Sequence, residues 1–68
     1  MKTTFISKTK ATKVDNEEIN RAIDYARLSI HKRTGIVISF DLCKKQSEIN
    51  QTYSQLTGEY YITVTTEI

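Results

Sequence analysis

The stretch from Asp15 to Gly35 constrains the fold more than any other part of the chain, because its residues mark both ends and the buried face of one helix. Asp15 stands ahead of Asn16, Glu17 and Glu18. Its carboxylate can accept from first-turn backbone N–H groups, while Glu18 can reach back to complete a capping box. Asp15, Glu17, Glu18 and Asp24 fall in the first half of the segment, and Arg27, Lys32 and Arg33 in the second, the order that the helix dipole favours. Gly35 can take the left-handed conformation that closes a helix C-terminus, with Ile36 as the apolar contact after it.

At about 100° of rotation per residue, Ile19, Ile23, Ala26 and Ile30 share one narrow sector, with Ala22 beside it. This recurrence predicts a face buried against a sheet. On the opposite side Arg21, Tyr25, Leu28 and Lys32 repeat the same spacing, so two apolar side chains lie between two cations where a solvated face should be polar. Isolated surface Leu and Tyr residues are ordinary. Tyr and Arg are also the residue types enriched at the anchors of protein interfaces, which makes this stripe the candidate docking surface.

Period-two patterns supply the rest of the fold. Thr3 to Thr9, with Phe5 and Ile6, predicts a first strand, which the Lys and Thr run toward Val14 either extends or leaves as a loop. Ile36, Ile38, Phe40 and Leu42 alternate with Val37, Ser39, Asp41 and Cys43, which predicts a second strand. Tyr60, Ile62 and Val64 alternate with Tyr61, Thr63 and Thr65 as a last strand. Between them, over Lys44 to Thr57, Ile49, Tyr53 and Leu56 fit a helical spacing while Thr52, Tyr53 and Ser54 favour a strand; a strand is preferred, with an irregular or helical insert as the alternative. Thr57-Gly58 then forms a hairpin turn, with Gly58 supplying the positive φ. The expected architecture is α+β: one amphipathic helix on one face of a mostly antiparallel sheet of three or four strands, in the order β-α-β-β-β or β-α-β-β. The other sheet face would show Val37, Ser39, Asp41, Cys43, Tyr61, Thr63 and Thr65 to solvent.

Sixty-eight residues amount to a single domain, residues 1–68, whose core supplies only about 3–5 kcal/mol of net stability. A single cysteine, Cys43, excludes an intramolecular disulfide and fits a reducing, cytoplasmic setting. The N-terminus lacks the apolar core of a signal peptide, and no apolar run approaches membrane-spanning length, so no membrane partner is expected. One histidine and one cysteine cannot make a structural zinc site, and both glycines follow elements rather than preceding a helix as a phosphate loop requires. Neither a metal nor a cofactor is expected. His31 reads as a solvated residue near the negative end of the helix, and Cys43 as a small half-buried strand residue rather than a nucleophile. The carboxylates are accounted for by capping, which leaves acid–base chemistry no seat. The chain reads as a non-enzyme.

The net charge of +2 is modest, yet Lys2, Lys8, Lys10 and Lys13 all precede the first acid at Asp15. Lys8, Lys10 and Lys13, with Arg33, are therefore the candidate contacts for nucleic acid or an acidic partner. In size and residue usage the chain resembles the small, single-domain accessory proteins of phages and mobile elements, anti-CRISPR and host-takeover inhibitors among them. That resemblance implies stoichiometric binding to a larger host protein or ribonucleoprotein complex. A basic nucleic-acid-binding regulator is the second reading, and a structural homodimer pairing strand edges or apolar stripes the third.

Overall fold

The structure, a computed structural model, describes residues 2–68. Its elements run β1 (Thr4–Ala11), α1 (Asn16–Thr34), α2 (Phe40–Lys45), β2 (Ser47–Ser54) and β3 (Glu59–Glu67). The strands form one antiparallel sheet in the order β1-β3-β2, and α1 packs on one face of it, chiefly across β1 and β3. The α+β architecture is the expected one.

The centre falls to β3 because its Tyr, Ile, Val and Thr run suits a pleated surface with both ladders satisfied. Tyr60, Ile62, Val64 and Thr66 point toward the helix, with Ile62, Val64 and Thr66 buried. In the register with β1, Ser7 lies opposite Val64 and Thr9 opposite Ile62. In the register with β2, Ile49 lies opposite Val64 and Tyr53 opposite Tyr60. The Tyr53 and Tyr60 rings meet with centroids 4.8 Å apart. Residues 55–58 close the hairpin: the Gly58 N–H donates to the Ser54 carbonyl over 2.8 Å, and Gly58 has φ 71°.

Helix α1 begins and ends where its capping residues place it. The Asp15 side chain accepts from the Glu18 N–H at 2.9 Å, and the Gly35 N–H donates to the His31 carbonyl at 2.8 Å with φ 77°. The Glu18 N–H, with Lys13 adding to it, holds the Asp15 carboxyl below its ordinary range. The Glu18 carboxylate lies 3.4 Å from Arg21, one turn along, in place of the predicted return to the cap. Ala22, Ile23, Ala26 and Ile30 are buried, as the spacing predicts, and Ile19 is half-buried between two core clusters. Small residues let the helix approach the sheet: Ala22 and Ala26 meet Ala11, Ile62 and Val64. Each large aliphatic in this core contributes about 1.5–3 kcal/mol by leaving water.

The strand predicted over Ile36 to Cys43 does not form. Residues 36–39 run without regular structure and 40–45 are helical. The reason is local as well as global. Ser39 caps α2 by accepting the Leu42 N–H at 3.2 Å, Asp41 sits in the first turn, and Lys44 and Lys45 complement the last. Both edges of β3 are already occupied by β1 and β2, so an added strand would have to pair at the outside of the sheet. Of the alternating apolar set only Ile38 is buried; Phe40 is half-buried, and Ile36 and Leu42 are exposed. Cys43, expected to be half-exposed on a strand, is fully buried in a helix beside Ile23 and Ile38. Consequently the open sheet face carries Tyr61, Thr63 and Thr65 but not Val37, Ser39, Asp41 or Cys43.

A buried hydroxyl network ties α2 to the sheet. Ser47 Oγ lies 2.7 Å from Thr66 Oγ1 and donates to the Cys43 carbonyl, and Cys43 Sγ stands 3.7 Å from Ser47 Oγ. The Glu67 N–H donates to the Gln46 carbonyl at 3.1 Å, which extends the ladder one residue past β2. These bonds fix the end of α2 against β3, so a single helical turn and a half is held without a long apolar face of its own.

Candidate functional site

Two exposed surfaces follow from this packing. The first is the outer side of α1, where Tyr25 is 54% and Leu28 53% exposed, although the helix buries its opposite side almost completely. The structure brings Tyr25, Leu28 and Lys32 together with Ser29 and Arg33 around one shallow recess. Arg21, the remaining member of the predicted stripe, is engaged with Glu18 at the N-terminal end of the same face.

Leu28 also lines a larger neighbouring groove, of about 440 Å³, whose other walls are Asp24, Arg27, His31, Val37 and Ile38. Its shape depends on Arg27. The Arg27 Nε donates to the Ile38 carbonyl at 2.9 Å, and one terminal nitrogen donates to Asp24 at 2.7 Å. A guanidinium that donates from two nitrogens to acceptors on two different segments is held in place by both. It pins the 36–39 segment alongside the helix, Ile38 turns inward, and Val37 is left 82% exposed at the groove's edge. Leu28 is common to both depressions: it lines the recess with Tyr25, Lys32 and Arg33 and the groove with Val37, so the candidate surface spans the two. Sequence reasoning found the helical half of it and missed Arg27 and Val37. Arg27 reads as a helix-end cation and Val37 as a strand residue; neither carries a local sign of its partner.

The second surface is the sheet face away from α1, which carries Lys8 and Lys10 with Tyr61, Thr63 and Thr65. Along the predicted cationic arm, on this face and beyond it, three of the lysines stand near acids. Lys10 Nζ lies 3.7 Å from Glu59, Lys13 Nζ 3.3 Å from Asp15 and Lys2 Nζ 3.9 Å from Glu67. Lys8 stands 4.7 Å over the Tyr61 ring. Arg33 does not join this group: its guanidinium lies 5.6 Å over Phe5, which points to the helix side of β1 while Lys8 and Lys10 point to the other.

His31, exposed, lines the groove, whereas Cys43 is buried within its hydroxyl network. Among the described residues no group of His, Cys, Asp and Glu side chains is disposed to hold a metal ion, and no helix is long and apolar enough to cross a membrane. Comparison of the chain with protein-family models, with curated proteins and with solved structures returned no match.

Proposed function

We propose that this chain is a non-enzymatic interaction module that binds a larger protein or ribonucleoprotein complex through the outer face of α1. It would act in the cytoplasm as a stoichiometric inhibitor or regulator of the kind found among phage and mobile-element accessory proteins. The observation that carries the reading is the exposure of Tyr25, Leu28 and Val37 around two adjacent depressions that share Leu28, with Lys32 and Arg33 beside Tyr25. A chain with so small a core has every physical reason to bury such residues inside; exposed together, they await a partner. Tyr25, Leu28 and Lys32 follow the i, i+3, i+7 presentation of helix faces that dock into grooves, and Tyr with Arg is the common hot-spot chemistry.

The nucleic-acid reading draws less support. Phosphate attraction needs a net positive patch, and Glu59 and Asp15 stand beside Lys10 and Lys13 and offset their charges. The test is quantitative capture of nuclease-treated partners by the wild-type chain and by a Tyr25→Ala, Leu28→Ala double variant, followed by affinity measurement on the partner recovered. Truncating two anchors should weaken binding by roughly thirtyfold or more per anchor while the chain stays folded. Equal capture by both chains would remove the helix face as the site. Loss of the captured material on nuclease treatment would move the assignment to nucleic acid.

A further inference from the structure

We infer that β2 is a self-association edge, through which two copies of this chain join their sheets into one antiparallel sheet of six strands across a two-fold axis at Gln51. The hydrogen-bond phase of the sheet shows which groups are free. Thr3 and Ile68 exchange both backbone bonds, at 2.6 and 2.9 Å, so residues 60, 62, 64 and 66 of β3 turn their N–H and C=O groups toward β1. The odd-numbered residues of β3 therefore face β2, as the Glu67 N–H to Gln46 carbonyl bond shows directly. In the β2 register this pairs Glu48, Asn50, Thr52 and Ser54 with β3. The N–H and C=O groups of Ser47, Ile49, Gln51 and Tyr53 point away from the sheet.

That edge lacks the usual defences. Five of the eight residues of β2 are exposed, it contains no proline, lysine or arginine, and its single charge is Glu48. The opposite edge, β1, is different: it carries Lys8 and Lys10, so self-pairing there would gather four cations. A second copy fits β2 in a specific register. With Gln51 opposite its own symmetry mate, Ile49 meets the partner's Tyr53 on the helix side of the sheet, twice over, and Asn50 meets the partner's Thr52 on the other side. Glu48 falls opposite the partner's Ser54, so no like charges oppose. The outward-facing positions Ile49, Gln51 and Tyr53 come into hydrogen-bonding phase with their partners, giving about six main-chain bonds. A one-residue slip would set helix-side against solvent-side residues and is excluded by the pleat. The contact is isologous and closes at two copies. It is small, at the low end of interface sizes, so association should be concentration-dependent and in the micromolar range. It leaves the α1 face free and stands independently of the function proposed for that face.

Sedimentation equilibrium on the full chain should show a monomer–dimer equilibrium. Gln51→Lys, which places two ammonium groups face to face at the axis, should weaken it at least tenfold. Circular dichroism should stay native, because the Gln51 N–H makes no bond to β3. Gln51→Cys should cross-link as a dimer on mild oxidation, since Cys43 is buried and only the new thiol is available. Glu48→Cys should not, its copy lying roughly 20 Å away along the strand. A monomeric mass up to about 1 mM overturns the proposal. So does a dimer unaffected by Gln51→Lys, cross-linking of Glu48→Cys in preference to Gln51→Cys, or a dimer abolished instead by Tyr25→Ala with Leu28→Ala.

Discussion

Replacing Ile23 by Ala tests the packing on which the rest depends, because Ile23 is fully buried and touches the cluster of Ile38 and Cys43 where α1, the 36–39 segment and α2 converge. Three carbons are removed. At about 0.8 kcal/mol each the lost transfer energy is about 2.4 kcal/mol. The unfilled space raises the total toward 3–4 kcal/mol, within the roughly 2–5 kcal/mol range of such truncations. A domain of this size holds only about 3–5 kcal/mol, so the variant should retain about 1 kcal/mol, leaving roughly a sixth of the molecules unfolded at 25 °C. Urea denaturation followed by circular dichroism reads this out. With a slope near 1 kcal/mol/M for so short a chain, the midpoint should fall by about 3 M. Leu28→Ala, on the opposite side of the same helix and half exposed, should cost below about 1 kcal/mol, since alanine is also the better helix former. Equal midpoint shifts for the two variants, or a larger one for Leu28→Ala, would refute the assignment of the buried face and with it the exposed apolar surface.

Ser7→Ala should stabilise the domain by about 1 kcal/mol in the same titration, because Ser7 Oγ is buried without a hydrogen-bond partner; a loss of stability would mean that the hydroxyl is satisfied. Arg27→Met keeps the aliphatic stem but leaves the Ile38 carbonyl without its donor, and should cost about 1–2 kcal/mol while raising amide exchange over residues 36–39. Unaltered exchange there would show that Arg27 is not what holds the segment. The Asp15 carboxyl is held below its ordinary value of 3.8, chiefly by the Glu18 N–H. Its contribution to stability is therefore complete above that value and lost as the pH falls through it toward the lower folded-state value. Asp15→Asn keeps an acceptor for the cap but should flatten this part of the acid limb of the melting temperature, and an unchanged limb would show that the Asp15 charge does not contribute to it.

What the chain determines by itself is what its short-range chemistry dictates. Asp15 and Gly35 bound α1 because capping and positive φ are decided within a few residues. The spacing of Ile19, Ile23, Ala26 and Ile30 selects the inner face because a helix has one period. Alternation in 60–65 and the glycine at 58 likewise mark the final hairpin. Over Ile36 to Cys43 two local codes coexist: a period-two apolar pattern, and a Ser39 cap followed by Asp41, Lys44 and Lys45. Eight residues are too few for either to dominate. Tertiary structure settles the choice, because β3 has both edges filled and the core beside Ile23 takes Cys43 from a helix. The site divides along the same line. Tyr25 and Leu28 are legible as an exposed pair from helical geometry alone. Val37 comes to face Leu28 because the Arg27 guanidinium reaches across to the Ile38 carbonyl, and Lys10 meets a counter-charge because Glu59 starts the adjacent strand, pairings that only the folded chain brings within hydrogen-bonding or ion-pairing range.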